Sequence, residues 1–142
     1  MALTARFLID TSAAARMPMP HVAARLAPLI ESGLVATTAV LNAEALYSAR
    51  NPVEYEQLWE DRRVAYEYLP TNDEHWQAAL DAQRVLARQG RHGTVGMPDL
   101  LTAVLAAEHR LIVLHHDSDF EAAADVIDFT HEWVPPRGNT VP

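Results

Sequence analysis

Two short apolar runs, each ending in acid, frame the chain. Phe7-Leu8-Ile9 stops at Asp10, and Leu111 to Leu114 stops at His115-His116-Asp117. Neither run alternates with polar residues, so both read as strands buried on two faces, the habit of parallel sheets. A short helical piece, Ser12 to Arg16, follows the first strand and is interrupted by Met17-Pro18-Met19-Pro20. His21 to Ser32 places Val22, Leu26, Leu29 and Ile30 at helical spacing, and Gly33 stops it. Leu34 to Ala36 is a second strand. Thr37 or Thr38 is placed to cap a helix running to about Arg50. Asn51-Pro52 starts another helix, carrying Val53, Gln57, Leu58 and Trp59. Ala65 to Leu69 reads as a strand closed by Pro70. Thr71-Asn72-Asp73-Glu74 opens a long helix through Trp76, Leu80, Val85 and Leu86, ending at Gly90. After a loop from Arg91 to Gly96, Pro98 begins a helix to about His109. Asp117 to Ala124 is helical and Ile127 to Trp133 is the last strand.

Strands alternate with helices throughout, which predicts an α/β fold with a mainly parallel sheet. There is no internal repeat or linker. Residues 1–134 are expected to form one domain and residues 135–142 a frayed C-terminal tail.

Four acids do not fit a purely structural role comfortably. Asp10 and Asp117 end apolar strands. Glu44 shares a helix face with Val40, Leu41, Tyr47 and Ser48, where an unpaired carboxylate is costly. Asp99 opens a helix after Gly96-Met97-Pro98. Each has a plainer reading: Asp10 and Asp117 or Asp119 as helix caps, Asp99 as a complement to the helix dipole, Glu44 on a helix rolled toward water. Together they point elsewhere, because strand C-termini and helix N-termini lie at the same sheet edge, where ligands bind. Carboxylates gathered there raise one another's pKa. Oxygen-only ligation selects Mg²⁺ or Mn²⁺, and two such ions roughly 3.5–4 Å apart suit phosphodiester cleavage. His115 and His116 point different ways on a strand and make a poor zinc or iron site.

Composition narrows the chemistry. The chain has 142 residues, 49% hydrophobic, and a net charge of −8. It contains no Cys and no Lys, so every one of its 11 basic residues is Arg. Thiolate sites, Schiff bases, phosphate-binding lysines and lysine-dependent phosphatase or receiver sites are excluded. The acidic balance offers no general attraction to nucleic acid. Arg84, Arg88 and Arg91 share a helical spacing, either as a solvated face or as phosphate contacts. With no basic-then-apolar leader and no apolar run approaching about 18 residues, a cytoplasmic protein without a membrane span is expected.

Four segments carry a resemblance: Leu8-Ile9-Asp10-Thr11-Ser12-Ala13, Leu41-Asn42-Ala43-Glu44-Ala45-Leu46, Gly96-Met97-Pro98-Asp99-Leu100-Leu101-Thr102-Ala103, and Leu114-His115-His116-Asp117-Ser118-Asp119-Phe120. In this order and spacing the chain resembles the PIN-domain family, and within it the VapC-type toxins of bacterial toxin–antitoxin pairs. The resemblance implies a PIN-like α/β/α sandwich. It implies Asp10, Glu44, Asp99 and Asp117 as catalytic metal-binding acids, Asp119 as an accessory ligand, and Ser12 as a polar contact near metal or phosphate. The family often has Thr or Ser where His115 stands. It further implies a Mg²⁺- or Mn²⁺-dependent endoribonuclease that slows translation, a homodimer, and a small antitoxin whose basic C-terminal segment fills the acidic groove. The alternative is a non-catalytic module whose acids capture a basic partner peptide.

Overall fold

The computed structural model describes residues 3–137. Five parallel strands form one sheet in the order β3-β2-β1-β4-β5. They are β1 (Phe7–Ile9), β2 (Val35–Thr38), β3 (Glu67–Leu69), β4 (Ile112–His115) and β5 (Thr130–Trp133). The chain builds from β1 out to β3, then crosses back to place β4 on the free side of β1. The switch point of this sheet therefore lies between β1 and β4, the crevice where such sheets bind ligands. Leu8 is in register with Ala36 on one side and Val113 on the other.

Helices cover both faces, so the expected α/β/α sandwich is present. On one face Leu8, Ala36 and Val113 pack with Ala106 of α6 (Met97–His109) and Phe120 of α7 (Asp119–Ala124). On the other, Ile9, Val35 and Leu114 pack against Val22 and Leu26 of α2 (Pro20–Glu31). The polar end of β1 leads directly into α1 (Thr11–Ala14). Gly33 ends α2 with φ +71°, a left-handed position where a side chain would be strained.

Helix α5 (Asp73–Arg88) turns a different face inward than its largest residues propose. Ala79, Ala82 and Leu86 are buried with His75, while Trp76, Leu80 and Val85 are 42%, 44% and 38% exposed. Small alanines let α5 lie close to α6, and close packing there decides the roll. Its start is held by a capping box of Asn72 and His75. His75 Nε2 reaches Glu108 Oε2 at 2.6 Å.

Helix α3 (Ala39–Tyr47) is fixed just as firmly. Thr38, rather than Thr37, accepts the Leu41 amide. Thr37 instead joins buried Asn42, and both accept from Arg62 of α4 (Pro52–Ala65), at 3.0 Å and 2.9 Å. Burying Asn42, Leu41 and Leu46 turns Ala43, Glu44 and Tyr47 outward. The apolar-face reading of Glu44 is thus corrected: the helix is rolled so that this carboxylate is exposed.

The last strand starts at Thr130 rather than Ile127, because Ile127 caps a turn after α7 and packs with the α5–α6 cluster. Fraying from Pro135 does not describe its first residues: Pro135 is buried, and Arg137 pairs with Glu121 and stacks on Trp133. The rest of the tail lies outside the described residues. Among the described residues no helix is long and apolar enough to cross a membrane.

Leu8 is fully buried on the central strand. Leu8→Ala is expected to cost about 2–5 kcal/mol in urea unfolding, whereas Leu80→Ala on the exposed side of α5 should change stability by no more than about 0.5 kcal/mol.

Candidate metal centre

The sheet edge collects acids from four elements. Asp10 follows β1, Glu44 rides on α3, Asp99 lies in the first turn of α6, and Asp117 and Asp119 follow β4. Single carboxylate oxygens of Asp99, Asp117 and Asp119 lie within 4.8 Å of one another. Asp10 and Glu44 stand around this trio, close enough for Asp10 and Asp117 to raise the Glu44 pKa. Asp119, expected as an accessory, thus sits in the tightest group. Glu44 is exposed to solvent, beside a shallow depression lined by Thr11, Ala43 and Tyr47.

Main-chain amides hold these carboxylates in place. Asp10 Oδ2 accepts the Ser12 amide at 3.0 Å and the Ser12 hydroxyl at 2.6 Å, so Asp10 is also the N-cap of α1. The Ser12 Oγ in turn accepts the His116 amide at 2.9 Å. One hydroxyl therefore ties the end of β1 to the end of β4, and Ser12 has no donor left for a ligand. Across the switch point the Asp10 amide donates to Leu114 O at 2.9 Å. Asp117 Oδ1 accepts the Asp119 amide at 2.9 Å. His115, fully buried, accepts the Asp117 amide on Nδ1 at 3.1 Å. A Ser or Thr hydroxyl makes the same local bond two residues ahead, so the histidine replaces that contact rather than losing it.

The electrostatics follow from the crowding. Burial first, then Asp10, Asp117, Glu44 and Asp119, push the Asp99 carboxyl up to about 8. Asp10 is raised chiefly by burial, against the Ser12 hydrogen bonds that lower it. Glu44 is raised by partial desolvation, then by Asp10 and Asp117. Asp119 is raised by desolvation and by Asp117. Burial, and then His131, lower His115 to about 4, so this imidazole is neutral.

The donor set fits a hard divalent cation. It consists of oxygens alone, and Asp10 Oδ1 is buried with no hydrogen-bond partner. An orphaned carboxylate oxygen beside three converging acids is expensive unless positive charge meets it.

The PIN domain family model matches residues 7–126. The chain belongs to the PIN-domain family. It is 40% identical over 136 residues to Ribonuclease VapC21 of Mycobacterium tuberculosis, covering 96% of this chain and 99% of that one. It is 38% identical to Ribonuclease VapC51 of the same organism, covering 94% and 96%. In three dimensions it resembles the DNA-bound VapBC structure from Salmonella typhimurium, with a TM-score of 0.70 at 18% identity over 91% of this chain and 98% of that one.

The arginines expected on one face of this PIN domain separate. Arg84 and Arg88 are exposed on α5. Arg91 bonds Asp125 Oδ2 at 3.0 Å and Gln89 at 3.1 Å, so its guanidinium is engaged within the fold. Sequence reasoning missed His131, whose Nδ1 lies 2.8 Å from His115 Nε2. A histidine sixteen positions on carries no local signal; only the parallel pairing of β4 with β5 brings the two together.

Metal-free Asp99→Asn should be more stable than the parent above about pH 4. Unfolded Asp99 loses its proton near 4, whereas the folded protein keeps it to about 8, so the parent alone loses stability between them. In chelated protein the gain should grow through this window to several kcal/mol near pH 8 and vanish below pH 4. Urea unfolding at both ends checks this, and equal stability near pH 8 would refute the crowding.

Proposed function

We propose that this chain is a Mg²⁺- or Mn²⁺-dependent endoribonuclease that hydrolyses RNA phosphodiester bonds as the toxin of a toxin–antitoxin pair and so inhibits translation. The observation that carries this reading is the crowding of Asp10, Glu44, Asp99, Asp117 and Asp119, with one buried carboxylate oxygen unpartnered. Its RNA specificity class is supported by the ribonuclease names of the two Mycobacterium tuberculosis relatives. The toxin role is supported by those VapC names and by the likeness to the VapBC structure. Its partners are RNA, a cognate antitoxin with a basic C-terminal segment, and a second copy of the chain in a homodimer. The working compartment is the cytoplasm, and the catalytic unit is the single domain of residues 1–134.

The roles divide by position. Asp99, Asp117 and Asp119 converge and would hold the cation, and Asp10 would add its unpartnered Oδ1 while Ser12 fixes its Oδ2. Glu44, exposed on α3, completes the ring on the side from which RNA enters. Bound Mg²⁺ or Mn²⁺ supplies Lewis acidity toward the phosphodiester and charge to offset the leaving oxygen. Ser12 acts by orienting Asp10 and the His116 main chain. Arg84 and Arg88, exposed on α5, are the candidate phosphate contacts, with Arg91 held by Asp125.

A pure peptide-capturing module would leave RNA intact. Total RNA incubated with the protein and Mn²⁺ should yield discrete fragments, and excess chelator should abolish them. Asp10→Asn should cut the rate about 100-fold or more with the far-UV circular dichroism unchanged. Full cleavage in chelator or in that variant would sink the mechanism.

A cation held by Asp99 would compete with its proton. Mn²⁺ affinity, read by calorimetry, should tighten about tenfold per pH unit toward pH 8 and then level off. A flat profile from about pH 6 to 8 would remove Asp99 from the ligand set.

A further inference from the structure

We propose that His115 and His131 are positioning residues of this site: two imidazoles hydrogen-bonded in line that clamp the main chain at Asp117 and aim its carboxylate at Asp99 and Asp119. The proposal rests on the reading of the acid cluster as a metal centre, and goes beyond it by tying that centre to the edge strand of the sheet.

The protonation pattern follows from the donors. A main-chain N–H can only donate, so His115 Nδ1, 3.1 Å from the Asp117 amide, carries no proton. A neutral ring then bears its proton on Nε2, which donates to His131 Nδ1 at 2.8 Å. His131 is therefore the acceptor on Nδ1 and carries its own proton on Nε2. The order from edge strand to site is His131, His115, Asp117 amide, and each step has one donor and one acceptor.

Packing makes the clamp rigid. The His115 ring is fully buried, with ring centroids of Phe120, His131 and Trp133 at 4.7, 4.9 and 5.1 Å. The Phe129 ring centroid lies 5.4 Å from that of His131. The buried His115 ring has no room to swing away while the aromatic cluster stands, and the half-buried His131 packs against it. The local bonds also run in series: His115 holds the Asp117 amide, and Asp117 holds the Asp119 amide. Two of the three carboxylates within 4.8 Å of one another hang from this turn. Removing the first hold loosens both. A hydroxyl at position 115 would hold the same amide but, being short, would leave β5 out of the arrangement. A ring reaches both.

The test uses full-length His115→Phe, His115→Ser and His131→Phe. Phe keeps the packing and loses the hydrogen bonds; Ser restores an acceptor for the Asp117 amide. Mn²⁺ affinity, read by calorimetry without RNA, should weaken about tenfold in His115→Phe, return to within about threefold of the parent in His115→Ser, and weaken severalfold in His131→Phe. Melting temperatures of the metal-free proteins separate this from general destabilisation, because a merely structural histidine would lower melting and leave Mn²⁺ affinity alone. If His115→Phe does not fold, His131→Phe carries the test. Independently of any metal, ¹⁵N spectra of the parent should show His115 bare on Nδ1 and protonated on Nε2, and the Asp117 amide should exchange at least about tenfold faster in His131→Phe or His115→Phe. Should the parent bind no Mn²⁺, the metal reading fails while the clamp is still judged by tautomer and exchange. A proton on His115 Nδ1, unchanged amide exchange, or parental Mn²⁺ affinity in the Phe variants overturns the proposal.

Discussion

Like charges repel, and this fold forces five carboxylates to one edge of one sheet. Everything around that edge is arranged to withstand the repulsion. Left to themselves, flexible acids would swing into water and apart. Here each loop is short and each is held by its own amides: Ser12 on Asp10, Asp119 on Asp117, Asp117 on His115. The hydroxyl of Ser12 joins the two central strands at the switch point, so Asp10 and the Asp117 turn cannot drift independently. Proton uptake relieves part of the strain, as the raised Asp99 carboxyl records. A cation would relieve more of it, since it meets all the oxygens at once.

Much of this was legible in the chain, though for reasons of unequal quality. Phe7-Leu8-Ile9 and Leu111 to Leu114 announce central strands because burial on both faces leaves no polar position to confuse the pattern. Asp10 and Asp117 follow from those strands, and the parallel order of the sheet brings them together. Glu44 stands near the other acids, but the face argument that singled it out does not hold. Its helix rolls on the Thr37–Asn42–Arg62 network, which ties residues 25 apart and is invisible to a window of seven. The buried face of α5 was equally obscure, since alanines bury without an apolar signature while Trp76 and Leu80 remain half exposed. His131 depends on strand pairing alone.

Net charge is a poor guide to such a site. The chain as a whole carries −8, yet the arginines are not spread evenly against it. Arg25, Arg50, Arg63, Arg91 and Arg137 each meet a carboxylate away from the cluster, and Arg62 is half-buried against Thr37 and Asn42. None of these guanidiniums pairs with one of the five clustered carboxylates. A polyanion approaching the bare site would be repelled; one approaching after cation binding would be repelled less and would find the cation itself to meet. On the proposed reading, the same ion that enables the chemistry also admits the substrate.

The capping and ligand readings of Asp10, which look like rivals on the sequence, are compatible in the structure. A carboxylate has two oxygens, and an N-cap uses one. Ser12 takes Oδ2 with its amide and its hydroxyl. That double hold fixes the side-chain rotamer, and with the rotamer fixed, Oδ1 is directed into the buried edge of the sheet, where it has no protein partner. A free aspartate would lose rotamer entropy on meeting a cation; this one has lost it on folding. The hydrogen bonds that lower its pKa also offset part of the burial that raises it, keeping the carboxylate closer to ionised than burial alone would leave it. Capping therefore fixes one oxygen of this acid and leaves the other unpartnered at the sheet edge, so the cap and an open coordinating position do not compete.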